Sequence, residues 1–458
     1  MKNLKTLLFA TTFMMMSSAC EPLVPDASKV FHDVNVLTME TAEVQSGYTV
    51  MVDEGTIVWV GPSDEAAIPE DAEVIEGDYY IMPGLAEMHA HIPSTQQNGD
   101  YINDVLKLYL SQGITTIRGM LGEEYHLELR QKAANGEIIS PRIFTSGPSF
   151  NGGSVDSPEQ AREMVREQFE AGYDLLKLHP GLQLDEFNAI AEEANELGIE
   201  FSGHISLDVG LERSLEAGQG TIDHLDRYME FLAGDAADRE DPPIIYFGYD
   251  LTHDVNEELI DEAARITAEA GTWNVPTNTL LENVFHPDYD TQTMQNWPGM
   301  DYMPEEMIEN WTNYVENVRS GDDYDPEQAE RFIEIRNELT AALHEHNAGL
   351  MLGADAPQIF NPPGFSGHRE LESLVNAGLS PFEALRTATT SVGTYLGEET
   401  ETGMIQEGFR ADLLVLDSNP LESIPFQDHI MGVLQSGTYY DRDNLDEMLE
   451  EIQERMNE

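Results

Sequence analysis

Cysteine is almost absent from this chain, because Cys20 is the only one among its 458 residues. A single cysteine cannot close a disulfide within the chain, which excludes a small disulfide-stapled fold. Long uncharged apolar runs are missing beyond the first 20 residues, so the sequence predicts no transmembrane helix in the remainder. With 41% hydrophobic residues, the chain can instead bury the core of one large domain with a small companion.

Positive charge is also scarce. Lysine and arginine together number 23 against 86 acidic residues, and the formal net charge is −63. Repulsion of this size excludes nucleic acid and anionic membrane surfaces as partners. The acidic residues are spread along the whole chain, which indicates a solvated surface suited to saline surroundings. Attraction of cationic substrates is the alternative.

Lysine itself is nearly missing from the body of the chain. After residue 20 only Lys29, Lys107, Lys132 and Lys177 occur, and none follows Lys177. Lys177 is enclosed by leucines in the run DLLKLHP. A buried ammonium group is costly unless it is neutralised or used chemically, so Lys177 is a predicted functional residue.

The first residues are typical of an export signal. Two lysines precede the apolar run LLFATTFMMM, and the small residues SSA lead directly to Cys20. This order resembles a bacterial lipoprotein cleavage box, so we expect a signal peptide over 1–19, a lipid anchor on Cys20 and a tether over 20–27. Plain secretory cleavage near Ala19 is the alternative. Either version predicts an exported protein, periplasmic or held on a membrane by its lipid.

Eight short apolar runs alternate with helix-like stretches between residues 83 and 403. In order they read LAEMHAHI, GITTIRGM, RIFTSGP, YDLLKLHP, GIEFSGHI, GTIDHLD, WNVPTNT and GLMLGADA. Eight strand–helix units are what a (β/α)8 TIM barrel requires, so we predict an α/β fold of that type. Flanking strand-like runs over 28–82 and 404–441 predict a small β-sandwich built from both ends of the chain. An acidic helix over 442–458 follows.

Side chains that can bind a metal stand near the ends of these runs. His89 and His91 are two positions apart, which on a strand directs both imidazoles to one face. The carboxyl ends of barrel strands surround a common pocket, and neutral imidazole with carboxylate suits zinc or a similar divalent ion. The six candidates for one metal site are His89, His91, Lys177, His204, His224 and Asp355.

The set resembles the amidohydrolase superfamily, in its imidazolonepropionase-like and prolidase-like binuclear subgroup. The resemblance rests on MPGLAEMHAHI, GITTIRGM, the Lys177 strand, SGHIS, IDHLD and GADA, and on HRELESLVNAGLSPFEALRTATTSVGTYLG and GFRADLLVLDSNPLESI near the end. Glu87 departs from the pattern, because the family usually has an aspartate there.

The resemblance implies a centre of two divalent ions, with zinc expected. His89, His91 and Asp355 would hold one ion, His204 and His224 the other, and Lys177 would bridge them as a carbamate derived from carbon dioxide. It further implies hydrolysis of an amide-type carbon–nitrogen bond by a metal-bridging hydroxide, with Asp355 transferring the proton. The expected substrates are small molecules, either dipeptides of the Xaa-Pro type or N-acyl amino acids.

Contacts to the substrate are predicted from position in the sequence alone. Arg118 could clamp a carboxylate or form a structural salt bridge, and His179 lies two residues beyond Lys177 on the same strand face. Tyr228 and His368 are further candidates. A lactonase, carboxylesterase or organophosphate hydrolase would use the same centre, and a non-catalytic ligand-binding surface lipoprotein is the alternative outside enzymes. A homo-oligomer is left open.

Overall fold

We describe residues 25–96, 99–237 and 246–456 of a computed structural model. The predicted signal peptide and Cys20 lie outside the described residues. The strands are β1 Lys29–Leu37, β2 Val44–Asp53, β3 Thr56–Pro62, β4 Glu73–Glu76, β5 Tyr80–Pro83, β6 Leu85–Ala90, β7 Ile114–Gly119, β8 Arg142–Thr145, β9 Leu175–Leu178, β10 Glu200–Gly203, β11 Thr221–Asp223, β12 Trp273–Val275, β13 Leu413–Leu416, β14 Ile430–Gln435 and β15 Thr438–Asp441. The α-helices are α1 Gly99–Ser111, α2 Glu124–Ala134, α3 Pro158–Ala171, α4 Leu184–Leu197, α5 Gly210–Ala217, α6 Tyr228–Ala233, α7 Ile260–Ala270, α8 Asn278–Phe285, α9 Thr291–Met294, α10 Glu305–Arg319, α11 Pro326–Glu345, α12 Phe365–Asn376, α13 Pro381–Thr387, α14 Thr390–Tyr395 and α15 Arg442–Met456.

The middle of the chain is α/β and TIM-barrel-like. Seven of the eight predicted strands form two parallel sheets, β6-β7-β8 and β9-β10-β11-β12. Parallel bridges from Ser146 to Leu175 and from Phe150 to Leu178 connect the two sheets. The eighth predicted run contains no strand, but Leu350 bridges to Asn274 of β12 and Ala356 to Ala90 of β6.

The helices between these strands follow ordinary capping rules. Ser157 accepts a hydrogen bond from the Gln160 amide at 3.2 Å and Pro158 occupies the first turn, which fixes the start of α3. Gly172 ends the same helix with a φ of 84°, a left-handed backbone that glycine adopts without strain. The apolar faces of such helices pack onto the sheets in one large core that includes Leu176, Phe201 and Ile222.

The two flanks of the chain pair in a second, eight-stranded sheet. Its order is β15-β14-β13-β5-β1-β2-β3, and β4 pairs with β1. Strand β5 joins the two halves, because Pro83 is opposite Leu413 and Ile81 is opposite Val415 in an antiparallel ladder. A separate core lies against this sheet and contains Phe31, Val50 and Leu434 among others.

The methionine- and aromatic-rich stretch before α11 packs with the end of the chain. Met294, Met300 and Trp311 cluster with Phe360 and with Ile452 of helix α15. The same helix is tied to α1 by ion pairs of Arg455 with Asp104 and of Lys107 with Glu451. Among the described residues, no helix combines the length and the low polarity that crossing a bilayer requires.

Candidate metal centre

A row of imidazole side chains at the carboxyl ends of the parallel strands is the main feature of the site. His91 and His89 have ring centroids 5.5 Å apart, and His89 is 4.6 Å from His224. His224 is a further 4.6 Å from His204. Four predicted ligands from β6, β10 and β11 therefore form one continuous row.

Asp355 closes the row from the segment that runs beside β6. Its Oδ1 lies 2.6 Å from His91 Nε2 and 3.4 Å from His89 Nε2, and its Oδ2 lies 3.9 Å from His224 Nε2. One ligand atom each from His89, His91 and Asp355 falls within 4.8 Å of the others. Burial alone would raise the pKa of Asp355, but the neighbouring histidines outweigh it and hold this pKa far below its usual range. The carboxylate is therefore ionised.

The other ring nitrogens of two histidines are engaged by polar side chains. His204 Nδ1 lies 2.8 Å from Asp226 Oδ2, and His224 Nδ1 lies 2.7 Å from Thr277 Oγ1. Partners of this kind fix the orientation of metal-binding imidazoles and leave Nε2 to face the ion. Burial, followed by the other histidines, lowers the pKa of His224, and burial with the charge of Lys177 lowers the pKa of His89 to about 4. Neutral rings with free lone pairs are what a divalent ion requires.

Lys177 reaches the same centre from β9. Its ammonium group is fully buried and lies 2.9 Å from Asp223 Oδ2. Gly203 of the neighbouring strand makes the room, since a Cβ there would lie 2.8 Å from Lys177 Cδ. The same oxygen of Asp223 is 3.0 Å from His89 Nδ1. One carboxylate thus contacts both a predicted ligand on β6 and the predicted bridging lysine.

Asp223 belongs to a wider polar group inside the barrel. Thr221 donates to its Oδ1 at 3.0 Å, and an Arg118 nitrogen lies 3.6 Å from that oxygen. Arg118 in turn donates to the Tyr395 hydroxyl at 2.6 Å, and that hydroxyl donates to Glu200. Burial would raise the pKa of Asp223, but the charges of Lys177, His89 and Arg118 hold it well below its usual range.

Two buried glutamates lie near the centre, since Glu87 interacts electrostatically with both Asp355 and Glu370. Glu87 accepts a hydrogen bond from the Ala354 amide, while its other oxygen has no partner among the described residues. Gly367 makes space for this carboxyl group, since a Cβ there would lie 3.2 Å from Oε2. Burial, with smaller contributions from Glu370 and Asp355, raises the pKa of Glu87 to about 8. Burial and the charge of Glu282 raise the pKa of Glu370 to about 7.

Of the four predicted substrate contacts, His179 lies at the site. Its ring centroid is 5.0 Å from that of His204, which extends the imidazole row by one member. Its Nδ1 is buried and makes no hydrogen bond within the described part of the chain. His179 is therefore the predicted substrate contact whose ring lies beside the candidate metal ligands.

The other three predicted substrate contacts are corrected by the structure. Arg118 is 1% exposed and donates to Met88 O, Tyr395 and Thr221, so the structural alternative describes it. Tyr228 is fully buried, and its hydroxyl group is paired with Thr267 and Asn274. His368 is fully buried and its Nε2 lies 2.9 Å from the Gln112 carbonyl oxygen. None of these side chains is free to reach a substrate, because each is enclosed by protein atoms.

Three residues of the site were missed by sequence reasoning. Asp223 and Asp226 flank the predicted ligand His224 in TIDHLD, and acidic neighbours of a candidate metal-binding histidine are a usable signal for supporting contacts. Thr277 carries no such signal, because a threonine after a short apolar run is common.

Comparison with known proteins places the chain in a family. A model of the amidohydrolase family matches residues 80–440. Ochratoxinase from Aspergillus niger is 20% identical over 412 residues, covering 75% of this chain and 71% of that protein. A bottromycin amidohydrolase structure has a TM-score of 0.70 at 21% identity and covers 93% of this chain and 90% of its own. The structure of a Xaa-Pro dipeptidase with bound methionine has a TM-score of 0.65 at 18% identity, and the match covers 90% of this chain and 99% of that one.

Proposed function

This chain belongs to the amidohydrolase family, and from that premise we propose that it hydrolyses the amide-type carbon–nitrogen bond of a dipeptide of the Xaa-Pro type or of an N-acyl amino acid. The observation that carries the proposal is the meeting of His89, His91 and Asp355 within 4.8 Å, next to His224 and His204. Such a set of imidazoles and one ionised carboxylate is a donor set for a divalent ion.

We assign the ligands as the family resemblance implies them. His89, His91 and Asp355 would hold one ion and His204 and His224 the other, and a carbamylated Lys177 would be a further ligand. The donor set fits, because lowered pKa values keep the rings of His89 and His224 neutral, Asp355 is ionised, and the Nδ1 atoms of His204 and His224 already have partners. When bound, such ions supply Lewis-acid polarisation of a carbonyl group and lower the pKa of a bound water.

The side chains of the site then have distinct roles. Asp355 accepts the proton of the attacking water and delivers it to the leaving amine, since its low pKa keeps it ionised until substrate binds. Asp226 and Thr277 fix the orientation of His204 and His224. His179 donates to or accepts from the substrate beside His204.

The substrate class is supported by the names of similar proteins. The Xaa-Pro dipeptidase, the bottromycin amidohydrolase and the ochratoxinase are similar over most of this chain. A lactonase or carboxylesterase reaction is the second candidate, because a centre that can activate water for attack on an amide would also serve for the more reactive ester.

We also infer that the eight strand segments close into one (β/α)8 barrel and that the eight-stranded sheet is the predicted small sandwich domain. Hydrogen bonds from Met88 to Leu352 and from Met351 to Asn274 support closure, because they tie the segment 350–356 to both β6 and β12. Export and a lipid on Cys20 stay predictions of the sequence.

Metal content measured by elemental analysis tests the assignment. The mature protein is prepared with bicarbonate and high salt, in parallel with Lys177→Ala and with Lys132→Ala, a half-exposed lysine on α2 that serves as the matched control. We expect two ions per chain in the wild type and the control, and one or none in Lys177→Ala. One ion in all three proteins would make Lys177 structural.

Turnover separates the enzyme from a non-catalytic binder. We expect Asp355→Asn to lose amide hydrolysis on dipeptide and N-acyl amino acid panels, while it retains most of its metal. Equal turnover in this variant would overturn the role of Asp355. No turnover by the metal-loaded wild type on amides, with rapid hydrolysis of lactones or esters, would favour the second candidate.

A further inference from the structure

One aromatic side chain stands against the metal centre from outside the strands that carry the ligands. The ring centroid of Phe247 lies 5.4 Å from that of His224, with the two rings inclined at 65°. Phe247 is half-buried, whereas His224 is almost completely buried. Phe247 therefore covers part of a predicted ligand from a position that is itself partly exposed.

The backbone that presents this ring is strained. Phe247 has a φ of 68° and a ψ of 21°, and Gly248 follows with a φ of 73°. A left-handed conformation is ordinary for glycine but unfavourable for a bulky residue such as phenylalanine. Strain of this kind persists only where the surroundings over-determine it, and it is concentrated at functional sites.

The surroundings of Phe247 do over-determine its position. Gly248 lies so close to helix α6 that a Cβ there would be 2.4 Å from Met229 Cβ. Tyr249 is fully buried, stacks on Phe285 at 4.6 Å, and exchanges hydrogen bonds of 2.9 and 3.0 Å with the Asp325 backbone. Gln328 adds a hydrogen bond of 2.8 Å to the Tyr249 carbonyl oxygen. The two residues after Phe247 are thus fixed, and they hold the left-handed backbone from which its ring projects.

We propose that Phe247 is a specificity-determining residue. Its ring is an apolar wall beside His224, and the group that flanks the scissile carbonyl of the substrate packs against this wall. The wall favours substrates with an aromatic or large aliphatic flanking group over those with glycine or acetyl. This inference rests on the proposed function, because it needs a carbonyl group placed at the metal centre.

Paired substrates with the same leaving group test the proposal. The ratio of kcat/KM for phenylalanyl-proline to that for glycyl-proline, and for N-benzoyl-leucine to N-acetyl-leucine, is measured in the wild type and in Phe247→Ala. We expect the ratio to fall by about tenfold in the variant, mainly through KM for the aromatic member. Phe169→Ala, which removes an exposed phenylalanine of α3, is the matched control and should leave the ratio unchanged. An unchanged ratio in Phe247→Ala would overturn the proposal.

The variant Phe247→Gly distinguishes loss of the aromatic ring from a folding defect. Glycine accepts the left-handed backbone, so its thermal midpoint should be equal to or above that of Phe247→Ala, while the ratio falls in the same way. A ratio that falls in Phe247→Ala and stays at the wild-type value in Phe247→Gly would overturn the proposal, because backbone strain and not the ring would then set selectivity.

Binding without turnover keeps the inference separate from the proposed reaction. In metal-loaded Asp355→Asn, calorimetry gives the dissociation constants of N-benzoylglycine and N-acetylglycine with and without Phe247→Ala. We expect the preference for the benzoyl probe to drop by about tenfold when the ring is removed. If the preference drops in this way but the wild type hydrolyses no amide, the proposed reaction is rejected and the role of Phe247 as an apolar wall is kept. Failure of both probes to bind would reject the wall.

Discussion

Buried carboxyl groups near the metal centre have pKa values that are displaced in opposite directions. Asp223 is surrounded by Lys177, Arg118 and His89, and its pKa is held well below the usual range. Glu87 and Glu370 are buried near other carboxylates, and burial is the main reason that their pKa values are raised to about 8 and about 7. All three groups are fully buried, and burial alone would raise the pKa of each. At Asp223 the charges of Lys177, His89 and Arg118 outweigh this effect, whereas at Glu87 and Glu370 the effect of burial prevails.

The largest loss of unfolding free energy is expected from substitution of Asp223. In metal-stripped protein, Asp223→Asn leaves the Lys177 ammonium group buried without its anionic partner, which costs about 3–5 kcal/mol of unfolding free energy. Replacing both partners, as Lys177→Met with Asp223→Leu, should restore much of this loss because no charge then remains buried. Urea unfolding measures both. A single variant as stable as the wild type would show that the pair is not formed.

The pH dependence of the unfolding free energy tests the raised pKa of Glu370. Because the pKa of Glu370 is raised from 4.5 to about 7, the native state holds one more proton than the unfolded chain between these values. Its contribution to the unfolding free energy is therefore complete below pH 4.5 and is lost as the pH rises through 7. Urea unfolding at several pH values should show this decline in the wild type and a flatter profile in Glu370→Gln. Parallel profiles would contradict it.

A smaller loss is expected from the hydrogen bonds of Glu370. Its two oxygens accept from the amides of Asn278 and Thr279 and from the Thr279 hydroxyl group, at the start of helix α8. In Glu370→Gln an amide NH2 group must face one of these donors, which costs about 1–3 kcal/mol. Denaturation at pH 8 measures it. Glu372→Gln, on the same helix and without a resolved hydrogen bond to α8, is the control.

The smallest effect is expected at Glu87. A carboxyl group with a pKa of about 8 is mostly neutral at pH 6, and glutamine has nearly the same shape. One oxygen accepts from Ala354 and the other has no partner among the described residues, so Glu87→Gln should change the unfolding free energy by less than about 1 kcal/mol at pH 6. A loss as large as that of Asp223→Asn would show that Glu87 is ionised.

The sequence was sufficient for the residues that end apolar runs. His89, His91, His204, His224 and Asp355 were predicted from strand-end position, and the structure brings them together because parallel strands present their carboxyl ends at one face. The predicted family membership is confirmed. The spacing of apolar runs and the position of polar residues at their ends were therefore enough to predict these five residues.

Asp223 shows where periodicity fails. Alternation along a strand would place Asp223 and His224 on opposite faces, yet both lie at the centre. His224 and Leu225 have φ values of 62° and 56°, so the chain turns sharply and directs consecutive side chains inward. Aspartate and histidine are enriched in this conformation, but most of them are not left-handed, so their presence in TIDHLD was too weak a signal to locate the turn.

Arg118, Tyr228 and His368 show a second limit. Each stands at a plausible position in the sequence, but whether its polar atoms face solvent depends on residues far along the chain. Arg118 is satisfied by Tyr395, and His368 by Gln112. Such long-range pairs leave no trace in local pattern, which is why burial was not predictable there.

The ladder between β5 and β13 also sets an order of events during synthesis. Pro83 of β5 can pair only after Leu413, 330 positions later in the sequence, has been synthesised, so the eight-stranded sheet is completed late. Antiparallel β1, β2 and β3 are local and can form early, whereas the barrel strands lie between the two halves of the ladder. Pairings so distant in sequence slow folding, and the edge of β5 stays open until the last strands emerge. A chain released before residue 413 would therefore expose an unpaired strand edge, which makes truncated products prone to aggregation.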